Sequence, residues 1–345
     1  MDSTPSGGYQ ELINVTIVCG GRSSEHEISC ISASGIIAAI DRNKFNPSLV
    51  GITKSGKWVT LPADTKFEIK AGHLPMVPDS APEISFKEIN ADVLFPILHG
   101  PFGEDGTIQG LLEMLDLPYV GSGVLASAVG MDKHFAKQIF AAHGISVAPG
   151  IALRKGDEVK DPGFGYPLFV KPARGGSSRG THKVKRAEDL VAAVSDAFKF
   201  DAKIMIEKAI VGKEIECAVL ERNGKIEASL PGEIKIDSKF EFYDFEAKYL
   251  DNATTVVVPA EIKRVEAIQS AAIEAFKALG CSGLARVDFF YTDDDQIIIN
   301  ELNTAPGFTS TSVYPKLWAA SGLSYTEIIT ALIETAKTRT NSVLH

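Results

Sequence analysis

The sequence of 345 residues predicts a mixed fold, in which an α/β domain is followed by an α+β region, with two or three domains in all. Three observations support this prediction. The chain opens with a buried strand, a glycine turn and an amphipathic helix in VTIVCGGRSSEHEISCISASGIIAAI. Its later part contains short polar turns between apolar runs, which are typical of antiparallel hairpins. Its length exceeds what one ordinary hydrophobic core organises.

The composition is that of a globular chain and argues against a general nucleic-acid binder. The chain is 45% hydrophobic and 23% charged, with a net charge of -9 and no basic face that could neutralise phosphates. MDSTPSGGYQ at the N-terminus lacks the features of a signal peptide, and no apolar run is long enough to cross a bilayer. We therefore expect a disordered leader on a cytoplasmic protein that does not associate with membranes. The four cysteines lack metal-site spacing and are expected to be structural thiols: Cys19, Cys30, Cys217 and Cys281.

The first domain is predicted to span residues 1–132. Its strands begin with Val15 to Cys19 and continue in LVGIT, WVTL and ADVLFPILHG. Ser24 and Glu27 have the spacing of a capping box at the start of the first helix. Later helices are predicted in TIQGLLEMLD and in GVLASAVGMDKHFAKQIFAAHG, the second of which ends at Gly144.

The remaining chain is predicted to form a central domain, 133–214, and a C-terminal domain, 215–345. Strands fit YPLFVKPARGGSSRGTHKV and AKIMIEKAIVGKEIECAVL, and NGKI at 223–226 is a hairpin turn. An aromatic segment within 236–255 is expected to be a mobile lid. A long helix should run from about 260 to 279, and the last helix should start at Ser324, with Glu327 completing a capping box.

One phosphate-binding motif is matched only in part. GITKSGKW at 51–58 resembles G-x-x-x-x-G-K-[ST], but Trp58 replaces the hydroxyl that would hold magnesium. The segment also lies between two short strands instead of opening a helix. A hairpin turn is therefore the better interpretation.

GLARVDFFY and IIINELN, separated by a short polar loop, predict an antiparallel hairpin with polar residues on one face. If residues 293–296 form the loop, Thr292 pairs with Ile297. The same register sets Asp288 opposite Glu301 and Arg286 opposite Asn303. Because side chains alternate along a strand, all four of these polar side chains then point to the same face.

Two carboxylates directly opposite each other require a positive charge between them. Arg286 could supply part of that charge, which leaves a buried ion-pair network as one alternative. The favoured alternative is a divalent cation, because carboxylate and amide oxygens suit Mg²⁺ shared with nucleotide phosphates. The loop TAPGFTSTS that follows could hold a developing oxyanion, and Gly307 permits close approach of the backbone.

Three lysines indicate an anionic ligand near this hairpin. Lys171 ends a strand just before the glycine-rich ARGGSSRG, whose backbone N–H groups could fold over phosphates. Lys133 starts a helix, where the helix dipole also favours an anion. Lys248 is the third basic position. Each lysine alone is typical of a solvated surface charge, but together with the acidic hairpin they favour a phosphate site.

These motifs together resemble those of the D-alanine:D-alanine ligases, which are ATP-grasp enzymes of bacterial cell-wall synthesis. The resemblance extends from about Val15 to Leu332, and its most diagnostic segments are HGPFGEDG and NELNTAPGFT. The other matching segments, in chain order, are GGRSSEHEIS, MDKHFAK, VKPARGGSSRG, EKAIVGKE, FYDFEAKY and ARVDFF. The resemblance implies an ATP-grasp fold of three domains, with a Rossmann-like N-terminal domain and ATP held between the other two.

The resemblance also implies ligands for particular residues. Phosphates would be held by Lys133, Lys171, Lys248 and Ser178, and the ribose by Glu214. Adenine would contact the linker from Glu207 through Lys208 to Ile210. Two Mg²⁺ ions, or Mn²⁺, would be bound by Asp288, Glu301 and Asn303, with Glu301 bridging them.

The activity implied is the ATP-dependent joining of two D-alanine molecules through an acyl phosphate, by a cytoplasmic homodimer. Substrate contacts fall on Glu25, His99, Arg286, Gly307 and Ser312. Tyr249 would close the lid toward Ser177 and Glu25. The expected catalytic residues are Glu25, Ser177, Tyr249, Arg286 and Gly307. Ligation of D-alanine to D-lactate or D-serine is the alternative within the enzyme class. A regulatory nucleotide-binding protein is the alternative from outside the enzyme class, but no catalytic group is missing.

Overall fold

The computed structural model describes residues 11–69, 73–176, 178–236 and 254–339. The first part is an α/β layer whose sheet has the order β3-β2-β1-β4 and is parallel except for β3. Its strands are β1 (Ile13–Gly20), β2 (Phe45–Ile52), β3 (Trp58–Leu61) and β4 (Val93–Pro96). Its helices are α1 (His26–Ala39), α2 (Thr107–Met114) and α3 (Val124–Met131). The predicted α/β opening is confirmed, as is the hairpin at GITKSGKW.

The second part is an antiparallel sheet of order β5-β8-β6-β7 with one helix against it. It follows α4 (Lys133–Ala142) and consists of β5 (Gly150–Arg154), β6 (Leu168–Pro172), β7 (His182–Val184), α5 (Leu190–Ala197) and β8 (Lys203–Lys208). A core of apolar side chains lies between this sheet and α5, with Leu168, Val194 and Ile206 fully or almost fully buried.

The third part is a larger antiparallel sheet of order β12-β11-β9-β13-β14, with β10 also paired to β9. Its strands are β9 (Lys213–Arg222), β10 (Lys225–Ala228), β11 (Gly232–Ile236), β12 (Thr254–Val257), β13 (Leu284–Tyr291) and β14 (Ile297–Asn303). Its helices are α6 (Val265–Ala278), α7 (Val313–Ala320) and α8 (Tyr325–Thr338). Ser324 caps α8 with Glu327, as predicted.

The predicted helix of residues 123–144 is two helices, because the chain bends at Asp132 between α3 and α4. The Asp132 side chain accepts a hydrogen bond from the Phe135 backbone N–H, which is the interaction that starts a new helix. Ala136 and Phe140 of α4 pack into the core of the third sheet. The domain boundaries at 132 and 214 stay predictions.

The capping box predicted for the first helix is wrong. Helix α1 begins at His26, so Glu25 occupies the N-cap position, and its side chain makes no cap hydrogen bond. The Glu27 carboxylate pairs instead with the Lys54 ammonium of the β2–β3 turn. The helix predicted from about residue 260 begins later, at Val265.

The β13–β14 hairpin has the predicted pairs, Asp288 with Glu301 and Arg286 with Asn303, but its turn differs. Tyr291 pairs with Ile297, so the loop has one residue more than predicted. A β-bulge at Asn300, which has no opposite residue, restores the predicted register before Glu301. The four polar residues therefore share one face of the hairpin, as expected.

The described cysteines Cys19, Cys30, Cys217 and Cys281 are free thiols, and the first three are buried. Helices in the described ranges include none that combines the length and apolarity needed to span a bilayer.

Candidate active site

Two cavities meet where the three parts of the fold face one another. The first cavity is lined from β6, β8, β9 and the β13–β14 hairpin. The second cavity, of about 540 Å³, is lined by helix α1 and loops of the first part, by the hairpin and by the loop after β14. Lys133, Gly175 and Glu301 line both cavities, so the two are continuous at these residues.

Arg286 is the centre of a network of charged side chains on the hairpin. Its Nε donates to Asp288 Oδ1 at 2.8 Å, and its Nη2 donates to Asp288 Oδ2 at 2.7 Å. Glu216 Oε2, from neighbouring β9, lies 3.0 Å from Arg286 Nε, and Asn303 Nδ2 donates to Asp288 Oδ2 at 3.1 Å. Burial disfavours the charged guanidinium, but the surrounding carboxylates outweigh burial and raise the pKa of Arg286. The buried ion-pair network that the sequence left open as one alternative is therefore present.

Lys133 connects the hairpin to the glycine-rich loop. Its Nζ lies 3.1 Å from Glu301 Oε2 and donates to the Gly175 carbonyl at 2.7 Å. Its backbone N–H also donates to the Ala173 carbonyl at 3.0 Å. Although burial opposes the charge, Glu301 outweighs it and raises the pKa of Lys133. This lysine is thus held as a cation at the junction of the cavities.

Glu207, at the end of β8, is held by two lysines. Lys171 Nζ lies 2.6 Å from its Oε2, and Lys137 of α4 forms an ion pair with its Oε1. Lys171 also donates to Asn300 Oδ1 at 3.3 Å, at the bulge in β14. Burial would favour protonated Glu207, but both ammonium groups outweigh it and lower the pKa of Glu207 to about 2. Glu207 is therefore a buried carboxylate in its charged form.

The other residues expected at a nucleotide line the first cavity together: Ser178, Lys208, Ile210 and Glu214. Ser178 has a φ of 55°, the left-handed backbone that turns the glycine-rich loop back over the cavity. Arg174 fastens the start of this loop, because its guanidinium donates to Asp201 Oδ1 at 2.6 Å.

Glu25 and His99 lie on the first sheet's side of the second cavity. The Glu25 carboxylate is beside two loop glycines, since a Cβ added at Gly100 or Gly176 would lie 2.6 Å or 3.5 Å from its Oε2. His99 Nδ1 lies 3.6 Å from Glu104 Oε1 and 3.2 Å from the Ala305 carbonyl oxygen. Burial opposes protonation of this imidazole, but Glu104 and Glu25 outweigh it and raise the pKa of His99.

Gly307 and Ser312 also line the second cavity, from the segment between β14 and α7. Phe308 fixes this loop: its ring is fully buried and packs against Phe95, Tyr314 and Tyr325. Ser312 is the N-cap residue of α7, and its Oγ accepts from the Thr309 backbone N–H at 3.1 Å. The loop thus presents backbone and hydroxyl groups from a rigid support.

Three expected site residues, Ser177, Lys248 and Tyr249, lie outside the described residues, as does nearly all of the predicted lid 236–255. Glu216 and Lys137 belong to this charged network but were not predicted from the sequence. Glu216 shares the face of Asp288 across β9–β13, and two acidic residues two positions apart in the apolar KEIECAVL were a usable signal. Lys137 follows Lys133 by one helical turn, so its spacing was a weak signal.

Solved structures resemble the whole chain. VanG D-Ala:D-Ser ligase from Enterococcus faecalis is 36% identical, with a TM-score of 0.83 over 94% of this chain and 100% of that one. The D-alanine-D-alanine ligase from Coxiella burnetii is 38% identical, with a TM-score of 0.80 over 95% and 94%. The D-alanine–D-alanine ligase from Bacillus anthracis, complexed with ATP, is 29% identical, with a TM-score of 0.73 over 94% and 97%. The fold is that of the ATP-grasp ligases.

Sequence relatives show to which family of ATP-grasp ligases the chain belongs. Residues 14–122 match the family described as D-ala D-ala ligase N-terminus, and residues 139–334 match D-ala D-ala ligase C-terminus. The D-alanine–D-alanine ligase of Arthrobacter sp. (strain FB24) is 48% identical over 94% of each chain. That of Mycolicibacterium smegmatis is 46% identical over 94% of this chain and 95% of the relative. The chain belongs to the D-alanine–D-alanine ligase family.

Proposed function

We propose that the chain joins two D-alanine molecules into D-alanyl-D-alanine for peptidoglycan synthesis and converts ATP to ADP and phosphate. The observation that carries the proposal is the continuity of the two cavities at Lys133 and Glu301. A phosphoryl group entering from the first cavity would reach a carboxylate in the second at that junction. A free carboxylate is a poor electrophile, and its phosphorylation supplies a leaving group.

The first cavity would hold ATP. Lys133 and Lys171 would bind its phosphates together with Lys248 and the backbone and hydroxyl of Ser178. The adenine would lie against Glu207, Lys208 and Ile210, and Glu214 would accept hydrogen bonds from the ribose. The assignment of Lys248, which lies outside the described residues, rests on the family resemblance alone. The other assignments rest on the shared lining of the cavity and on the resemblance.

The hairpin residues fit a divalent cation. Asp288, Glu301 and Asn303 offer hard oxygen donors on one face, beside the lysines that would hold the phosphates. Within the described ranges no three His, Cys, Asp or Glu side chains form a metal cluster of their own. A cation bound at the hairpin would take its remaining ligands from nucleotide phosphates. Asp288, Glu301 and Asn303 would hold Mg²⁺ or Mn²⁺ there, and the cation would offset the phosphate charge.

The second cavity would bind both amino acids. Glu25, with His99 nearby, would hold the ammonium of the first D-alanine, and its carboxylate oxygen would attack the γ-phosphorus and release ADP. The deprotonated amine of the second D-alanine, whose carboxylate would bind at Ser312, then attacks the acyl carbon. Arg286 and the Gly307 backbone N–H would stabilise the tetrahedral oxyanion before phosphate leaves. Tyr249, closing toward Ser177 and Glu25, would exclude water from the acyl phosphate.

We also propose a cytoplasmic homodimer. Met114 and Leu125, on neighbouring helices α2 and α3, are 87% and 74% exposed, which is unusual for large apolar side chains. Light scattering of wild type and of the variant Met114→Glu/Leu125→Glu tests this surface. A dimeric double variant would exclude this surface as the interface, and a monomeric wild type would refute the dimer itself.

The proposed reaction is tested by measuring phosphate release from ATP with D-alanine, L-alanine, or D-alanine mixed with D-lactate or D-serine. We expect release with D-alanine and none with L-alanine, with D-alanyl-D-alanine as the main product of each mixture at neutral pH. A predominant D-alanyl-D-serine or D-alanyl-D-lactate product would overturn the assignment of the second substrate. Absence of D-alanine-dependent phosphate release would overturn the activity itself.

A further inference from the structure

Lys137 is a buried charged residue to which the proposed reaction gives no part. It lies on α4, one turn after Lys133, and only 6% of its side chain is exposed. Neither cavity includes it among the described residues that form the lining. Its ammonium forms an ion pair with Glu207 Oε1, which has no hydrogen-bond partner among the described residues apart from this contact.

The two lysines on Glu207 differ in what else they can contact. Lys171 lines the first cavity and is also within hydrogen-bond distance of Asn300, so a bound phosphate could draw its ammonium away from Glu207. Lys137 is buried outside the described lining of the cavity, and Glu207 is its only ion-pair partner among the described residues. Burial lowers the pKa of Lys137 to about 8, so at neutral pH its ammonium would remain the counter-charge of the Glu207 carboxylate when nucleotide is bound.

We propose that Lys137 is a positioning residue of the nucleotide site, which holds Glu207 charged and oriented while Lys171 turns to the phosphates. This inference rests on the proposed function, because it takes the first cavity to be the ATP site. The two lysines that share the Glu207 carboxylate would then have different roles. Lys171 would move to bind the phosphates, and Lys137 would stay in place and hold Glu207.

The arrangement has a consequence for the choice of base. An ionised carboxylate accepts hydrogen bonds and cannot donate them. Glu207 in that form suits the amino group of adenine and repels a carbonyl oxygen at the same place, which guanine would present. Weakening the charge on Glu207 should therefore lower ATP affinity more than GTP affinity. The pKa of Glu207, lowered to about 2, agrees with this form before nucleotide binds.

The chain offers a matched control in Lys203. Its side chain is also 6% exposed, and it is ion-paired with a buried carboxylate, Asp132, at 2.8 Å. Like Lys137, it is absent from the described lining of either cavity. Lys203→Met therefore removes a comparable buried ion pair without touching Glu207. Loss of stability should be common to both variants, whereas loss of nucleotide affinity should be specific to Lys137→Met.

The experiment measures kcat and KM for ATP, GTP and D-alanine in wild type, K137M, K137R and K203M, with melting temperatures for each. For K137M we expect KM for ATP to rise at least tenfold, kcat to stay within about threefold, and the preference for ATP over GTP to fall. K137R should restore KM for ATP to within about threefold, and K203M should leave it unchanged. An unchanged KM for ATP in K137M, or an equal rise in K203M, would overturn the proposal.

A double-mutant cycle keeps the proposal testable if K137M folds poorly. In K137M/E207Q residue 207 is a neutral glutamine, so the loss of the lysine leaves no unpaired buried carboxylate. If Lys137 acts through Glu207, K137M should change KM for ATP no further in the E207Q background. An additive effect would overturn the inference. Phosphate release by the wild-type protein distinguishes a failure of the proposed reaction from a failure of the Lys137 proposal. If the wild type releases no phosphate, the proposed reaction is wrong. If it releases phosphate normally and the variants do not behave as expected, only the role of Lys137 is wrong.

Discussion

The replacement Glu216→Gln tests whether the network around Arg286 matters for the reaction. Glu216 Oε2 lies 3.0 Å from Arg286 Nε, and only 5% of the Glu216 side chain is exposed. Glutamine keeps the volume and one oxygen acceptor but removes the charge. Breaking a buried ion pair costs about 3–5 kcal/mol, and because Asp288 still neutralises Arg286 in the variant, we expect a smaller loss of about 1–2 kcal/mol in stability.

The substitution should also lower kcat, because Arg286 is the proposed oxyanion donor. Removing an oxyanion donor outright lowers kcat by about 10²–10³-fold. Arg286 also donates to Asp288, at 2.8 and 2.7 Å, and the substitution does not remove these partners. We therefore expect the guanidinium to shift without being lost, and kcat to fall by the smaller factor of about 10–100-fold. The assay is steady-state phosphate release at saturating ATP and D-alanine.

A control on the same strand is Glu221→Gln. Its carboxylate accepts hydrogen bonds from the Ser282 hydroxyl and the Gly283 backbone N–H, both at 3.0 Å, and it lies outside the described lining of both cavities. This variant should lose stability and keep kcat. A wild-type kcat in Glu216→Gln, or an equal fall in Glu221→Gln, would refute the reasoning.

Three further predictions follow from the described contacts. Glu301→Gln should lower phosphate release at least about a hundredfold while the chain stays folded, as judged by circular dichroism, and full activity would defeat the proposed metal site. Because the pKa of His99 is raised in the folded state, its contribution to stability is present below about pH 6.5 and is lost as the pH rises through the folded pKa. Urea titrations should therefore find Glu104→Gln more destabilising at pH 6 than at pH 8, and an equal or reversed difference would contradict the assigned cause. Ser324→Ala, which breaks the capping box of α8, should lose about 1 kcal/mol and leave kcat unchanged, whereas no loss would show that the cap is dispensable.

The hairpin at the site was predictable because its polar residues alternate within apolar strands. The period of two fixed which side chains share a face, and the observed pairs of Asp288 with Glu301 and Arg286 with Asn303 confirm it. The bulge at Asn300 was not predictable, because the sequence fixes the face of a residue but not an extra residue in the ladder. The longer loop shifts the pairing of the two strands by one residue, and the extra residue at the bulge shifts it back.

Contacts between distant segments could not be predicted from the sequence. Lys137 and Glu207 are far apart in the chain, and their ion pair forms only because the fold brings α4 to the end of β8. Glu216 joins the hairpin because β9 is the neighbour of β13, an order that strand patterns alone do not supply. The break at Asp132 had a local signal in the capping preference of aspartate, but the surrounding helical residues concealed it.

The central claim is that the polar face of β13–β14 binds a metal-bound nucleotide. A crystal of the protein with ADP and Mn²⁺, measured at the manganese absorption edge, tests it most directly, because anomalous scattering locates the ion independently of its ligands. We expect an anomalous peak in contact with the oxygens of Asp288, Glu301 and Asn303. ADP in the first cavity with manganese bound elsewhere, or with Arg286 alone neutralising those carboxylates, would contradict the account.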